Sequence, residues 1–179
     1  FKPDSNLGTA RGRNLHWEHC IGHDSVRIDD KCLPLVPGWL KALKRQAYQH
    51  HSIIAVPYDP TVQHLWGIAA PIDYVPWSTD QGRGGPVIFI PGEVTTALGM
   101  VDELHPDIKY GWDDCLYIER AELLGWHFGF SLRAPFTFLA SASPTARQKA
   151  LEYHPLYCER LRQYREAERD VYIPLEGAL

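Results

Sequence analysis

Two carboxylates stand side by side at Asp113 and Asp114, directly after Gly111 and Trp112, and they head a stretch without Gly or Pro that runs to Gly125. Acids at the start and glycine past the end are the punctuation of a helix. Carboxylate oxygens suit the free N–H groups and the positive end of the helix dipole, and glycine accepts the left-handed backbone that stops the helix. The spacing therefore predicts a pair of acids held at a helix N-terminus, beside a tryptophan. Such a pair either caps the helix or belongs to a site, and the residues elsewhere in the chain bear on that choice.

Two other groupings carry chemistry. His16, His19, Cys20 and His23 fall at i, i+3, i+4 and i+7, so a short helix over 15–23 would put them on one face. That face would bind a transition metal or pack half-buried against a neighbour. With Asp29 it would suit a metal-dependent hydrolase. The second grouping, Asp29-Asp30-Lys31, is an acidic turn closing the short strand Ser25-Val26-Arg27-Ile28. The four cysteines, Cys20, Cys32, Cys115 and Cys158, are widely spaced with no Cys-x-x-Cys pair, which argues against a zinc ribbon or a thioredoxin-like motif. They read as reduced thiols of a cytoplasmic protein.

These groups need a frame to hold them. At 179 residues with 45% hydrophobic content, the chain can bury one real core. A net charge of −4 gives no global attraction to nucleic acid or anionic membrane. No apolar run approaches the ~18–20 residues that a bilayer span requires. Pro37-Gly38-Trp39-Leu40 opens a helix over 37–50, with Trp39, Leu40, Leu43 and Ala47 as its apolar stripe. Residues 52–57 form a continuous apolar strand of the kind buried on both faces. Strand, acidic turn, helix and strand fit a short βαβ unit and an α/β class. Further along, 65–70 and 87–90 read as strands, 78–85 as a glycine-rich loop, 91–98 as a short helix stopped by Gly99, and 126–130 as an edge strand. Ser143-Pro144-Thr145 starts a helix, and 156–168, dense in Arg and Glu at helical spacing, reads as a solvated C-terminal helix.

Four blocks in this order resemble a family 2 glycosyltransferase of the GT-A fold. Asn6-x-Gly8-x-Ala10-x-x-Arg13-Asn14 is similar to the segment crossing the nucleotide-sugar site. Residues 26–31 followed by Pro37-Gly38-Trp39-Leu40 resemble the strand, Asp-x-Asp motif and helix that hold metal and diphosphate. Gly84-Gly85-Pro86-Val87-Ile88-Phe89-Ile90 with Leu98-Gly99-Met100-Val101-Asp102-Glu103 resembles the acceptor-side strand and helix. Gly111-Trp112-Asp113-Asp114 with Arg120 and Gly125-Trp126 resembles the Glu-Asp motif that carries the catalytic base.

The resemblance spans about residues 6–130. It implies a partial GT-A, Rossmann-like mixed sheet flanked by helices over 1–142, with a C-terminal helical segment over 143–179. It implies transfer of a sugar from a nucleotide-sugar donor to a hydroxyl of a glycan or other acceptor, with inversion. Asp114 would then be the general base, its pKa raised by Asp113. Asn6, Gly8, Arg13, Asn14, Asp29, Asp30, Lys31 and Arg120 would hold donor and diphosphate, and Gly84, Gly85 and Trp112 would face the acceptor. A divalent cation, Mn²⁺ or Mg²⁺, would use Asp29 as its first ligand. Where the second acid of Asp-x-Asp is expected stands Lys31, a cation that would itself neutralise the diphosphate, and residues 134–139 carry none of the histidines some relatives use as a further ligand. The chain opens at the first block, so the strands that bind base and ribose are expected from a longer chain or a partner chain. The alternative expectation is a degenerate transferase fold with a binding or structural role in a larger assembly, without catalysis.

Overall fold

The two most apolar stretches of the chain become its innermost strands. In the computed structural model, which describes residues 9–29, 32–57, 74–76, 84–103, 112–134, 136–138, 148 and 151–169, every residue of β3 (Ser52–Val56) and β5 (Val87–Ile90) is buried. They belong to a five-stranded open sheet of order β1-β5-β3-β6-β4, with β1 at Ser25–Ile28, β4 at Tyr74–Pro76 and β6 at His127–Ser131. The sheet is mixed. β5 runs antiparallel to both β1 and β3, with Val26 opposite Phe89 and Ile54 opposite the same residue. β6 runs parallel to β3 and antiparallel to β4. Hence β1 and β3 point the same way, as the expected strand–helix–strand unit requires, but β5 lies between them.

The strand expected at the edge over 126–130 is interior instead, bonded on both sides. β4 extends the sheet beyond it and ends at Pro76, which suits an outer strand. Gly129 makes that pairing possible: a Cβ there would fall 2.3 Å from Cε2 of the Tyr74 ring. A separate antiparallel pair joins β2 (Cys32–Pro34) to β7 (Phe136–Phe138).

Helices cover both faces. Helix α2 (Trp39–His50) lays Leu43 and Ala47 on one face, against Ile54, Val56, Val87 and Phe89. Gln46 is buried with them, whereas Leu40, expected on the stripe, is exposed. On the other face, Ile53, Ala55, Ile88, Ile90, Phe128 and Phe130 meet Trp17, Val94, Tyr117, Ile118 and Ala121. Those come from α1 (Thr9–Trp17), α3 (Gly92–Leu98) and α4 (Asp113–Leu123). Each such Val, Leu, Ile or Phe side chain removed from water contributes roughly 1.5–3 kcal/mol.

Helix α1 corrects two expectations at once. Residues 9–14, a polar glycine-bearing stretch whose composition suggests a turn, are helical, and of the helix expected over 15–23 only 15–17 forms, as the last residues of α1, while the chain turns over 18–22. Burial decides it: Trp17 enters the core and its Nε1–H donates to the Gly99 carbonyl at 2.6 Å, while Gly22 adopts φ 80° at the end of the turn. His19, Cys20 and His23 therefore follow the helix and do not share its face. Among the described residues no group of three or more His, Cys, Asp or Glu is arranged to hold a metal ion.

The C-terminal helix α5 (His154–Arg169) packs on α4 through Leu116, Tyr157 and Leu161, with Arg160 and Tyr164 bonded to Asp102. It is thus partly buried, where a solvated helix was expected. No helix among the described residues is long and apolar enough to cross a membrane. Asn6, Gly8, Asp30 and Lys31, the strand expected over 65–70, the helix start at 143–145 and most of the 78–85 loop lie outside the described residues.

Candidate functional site

Helix α4 begins at a strained residue. Trp112 precedes its first turn at φ 69°, a left-handed conformation that a bulky side chain adopts only when its surroundings hold it there. Those surroundings come from α5. The Trp112 ring stacks on Tyr157 with centroids 4.8 Å apart and planes 25° apart, and His154 lies at 4.8 Å, tilted by 51°. Trp112 gives the helix no side-chain cap. Asp113 and Asp114 are the first two helical residues, and their carboxylates are engaged elsewhere.

Two arginines from distant stretches reach them. Arg13 of α1 donates through Nη1 to Asp114 Oδ1 and contacts Asp113 Oδ2 at 2.5 Å. Arg27 of β1 donates through Nη1 to Asp114 Oδ2 and through Nη2 to Asp29 Oδ1 at 2.9 Å. Gly84, at φ 102°, completes the enclosure: a Cβ built on it would lie 3.4 Å from Asp114 Oδ2. Gly85 is wedged against β3, where a Cβ would meet the Val56 carbonyl at 2.8 Å. Residues from three other, separated stretches thus converge on Asp114.

The electrostatics of the two acids diverge. Burial and the neighbouring Asp114 charge push Asp113 up to about 6, against the opposing pull of Arg13 and Arg27. Burial also works to raise Asp114, but Arg27 and Arg13 outweigh it and hold that carboxyl below the usual range. The upward shift expected at Asp114 therefore falls on Asp113, because only Asp114 is hydrogen-bonded by both guanidiniums. Asp113 is 4% exposed, and its Oδ2, in ion contact with Arg13, has no partner in hydrogen-bond geometry.

Other expected site residues are placed differently. Asn14 clasps the 101–103 segment: its Nδ2 donates to the Val101 carbonyl at 2.8 Å and to Glu103 at 3.1 Å, and its Oδ1 accepts from the Val101 N–H. Arg120 donates to the Leu98 and Met100 carbonyls and lies over the Tyr164 ring. Its described contacts tie α4 to the end of α3 and to α5, and none is with the acids. Both residues connect elements of the site without entering its charge network.

The acids do not fit a divalent cation as they stand. Mg²⁺ and Mn²⁺ need several oxygen ligands at about 2.0–2.2 Å, and the facing oxygens of Asp29 and Asp114 are engaged by Arg27. An ion sharing those oxygens would sit about 5 Å or less from the guanidinium. Its repulsion there is roughly 7 kcal/mol at an effective dielectric near 20.

Arg27 is the residue of this network that sequence reasoning missed as a functional group. Its signal was available, a cation on a short strand two residues before an acid, but nothing local says which distant carboxylate it meets. Asp24 went unremarked as well. It accepts from the Gly92 N–H at the start of α3 at 3.0 Å, from Tyr48 Oη at 2.5 Å, and pairs with Lys44. Those partners outweigh the effect of burial and lower its pKa. No protein-family model, no curated protein and no solved structure matches this chain, so its activity has to be argued from this geometry.

Proposed function

We propose that the chain is a GT-A-like glycosyltransferase domain, which transfers a sugar from a nucleotide-sugar donor to an acceptor hydroxyl. The observation that carries this reading is convergence. Arg13, Arg27 with Asp29, Gly84, and Asp113 with Asp114 come from the four sequence blocks named above, and they meet at the N-terminus of α4. A mixed open sheet with helices on both faces is the scaffold that such blocks require.

The chemistry asked of the site is specific. The acceptor oxygen forms a bond to the anomeric carbon as the bond to the diphosphate breaks, and the hydroxyl proton passes to a carboxylate. A base works best with a pKa near the working pH, which favours Asp113 over Asp114 as the proton's destination. Arg13 and Arg27 supply positive charge where the leaving group gathers negative charge. The direct test is release of nucleoside diphosphate from a panel of nucleotide sugars by the full chain, with and without sugar acceptors. Turnover abolished by Asp113→Asn, with the folded state retained, supports the reading. No turnover and no binding of any nucleotide sugar would refute it.

One observation favours a second reading, a transferase fold serving as a binding or structural module. The arginines and acids neutralise one another within the folded chain, as a clasp between α1, β1 and α4 would. On that reading Asp113→Asn changes stability alone.

A further inference from the structure

Asp29, the acid expected to ligate a divalent cation, is bridged to Asp114 by a side chain of the protein. The Arg27 guanidinium bonds Asp29 Oδ1 at 2.9 Å with one nitrogen and Asp114 Oδ2 with the other. Its side chain is 18% exposed, so the charge is sheltered without being sealed from solvent. Arg13, equally exposed, stands across Asp114 from it. We propose that Arg27 takes the place of the divalent cation, so that Arg27 and Arg13 together bind the diphosphate of the donor without metal. The identity of that anion rests on the transferase reading; the exclusion of the metal rests on Arg27 alone.

The physical case has three parts. Guanidinium matches phosphate bidentately, with five N–H donors in a fixed plane, of which the pairs with Asp29 and Asp114 use two. Its charge is permanent here, since the three surrounding aspartates raise its pKa further against the effect of burial. Finally, two guanidiniums face three carboxylates, so an incoming diphosphate competes with the carboxylates for their cations. Exchange at Arg13 leaves the Asp113–Asp114 pair with one guanidinium fewer, and hence more basic. Donor binding would thereby prepare the proton acceptor before the acceptor sugar arrives.

The test uses the full chain, with calorimetric titration of pyrophosphate and of nucleoside diphosphates in EDTA and again with Mn²⁺. Mn²⁺ alone is followed by its electron paramagnetic resonance signal. The expected result is equal diphosphate affinity in both conditions and no Mn²⁺ bound to the free protein. Arg27→Gln should weaken diphosphate binding in EDTA by roughly 10–100-fold, bind Mn²⁺ at the released Asp29 and Asp114, and recover diphosphate affinity when Mn²⁺ is present. Arg27→Lys, which keeps the charge, should fall between the two.

Diphosphate binding by the wild-type chain that requires Mn²⁺ would overturn the proposal and leave the transferase reading standing. Absence of binding in both conditions would overturn it too. Metal-free binding without sugar transfer to any acceptor would uphold the arginine site and remove the transferase reading. The wild-type titrations decide the matter even if Arg27→Gln does not fold.

Discussion

Asp113→Asn should remove a loss of stability that sets in as pH rises from about 4 to 7. In the folded chain Asp113 is raised from an ordinary 3.8 to about 6, by burial and by the Asp114 charge. A group raised in the folded state contributes stability fully below its ordinary value, and that contribution is lost as pH rises through about 6. A difference of this size corresponds to on the order of 3 kcal/mol between about pH 4 and pH 7. Asp114, held low by Arg27 and Arg13, runs the other way: its contribution is present above the ordinary value and lost as pH falls. Asparagine keeps the shape of Asp113 and removes its titration. The stability of Asp113→Asn relative to wild type should therefore climb by on the order of 3 kcal/mol between about pH 4 and pH 7, or roughly 6–12 °C in Tm for a chain of this size. Urea denaturation of both proteins at a series of pH values measures the difference, and a ¹³C titration of the side-chain carboxyls assigns it. A stability difference that stays flat across this range, with Asp113 titrating below about 4, would show that the two acids divide their proton differently, and Asp113 would lose its claim to be the base.

Two further substitutions test how the site is held. Gly84→Ala places a Cβ 3.4 Å from Asp114 Oδ2 on a backbone at φ 102°, and should cost about 1–3 kcal/mol; denaturation indistinguishable from wild type would show that the 84–85 turn relaxes freely. Tyr157→Phe removes the hydroxyl that donates to buried Glu119 but keeps the ring stacked on Trp112. It should destabilise by about 1–3 kcal/mol and leave the near-UV signal of Trp112 intact, whereas loss of that signal would mean the hydroxyl, not the ring, positions the tryptophan.

The strands were legible where burial left a local mark. Ile53-Ile54-Ala55-Val56 and Val87-Ile88-Phe89-Ile90 are apolar without interruption, and both are interior strands with every residue buried. The helix at 113–123 was bounded correctly by its acids and by Gly125, whose φ of 86° ends it. What failed was set by partners far along the chain. β6 looked like an edge because the three residues that cover it, Tyr74–Pro76, carry too short a pattern to announce a strand. Helix α1 was misplaced because Trp17 and Asn14 fix it through contacts more than eighty residues away, with Gly99 and Val101. In the candidate site the acids and Arg13 could be named from the sequence. The split in their proton affinity could not, since it depends on Arg27 bonding Asp114 and leaving Asp113 to its burial.

The network around Asp114 is a poor way to achieve stability, and that is the strongest physical reason to look for a use. Bringing arginines and aspartates out of water carries a desolvation penalty of several kcal/mol per ion, which mutual attraction only partly offsets, and apolar side chains of similar volume often replace buried ion pairs at no loss. The same elements demonstrate the cheaper solution a short distance away: α4 meets α5 through Leu116, Tyr157 and Leu161, and α1 meets α4 by setting Trp17 edge-on against Tyr117. A clasp built only to join α1, β1 and α4 could have been made in that manner. A site that must exchange one anion for another cannot, because it needs cations that are permanent, sheltered and already balanced when the ligand is absent. Arg13 and Arg27 meet those three conditions. Asp113, held near neutrality by the very crowding that makes the network expensive, adds a proton acceptor that an apolar joint would lack.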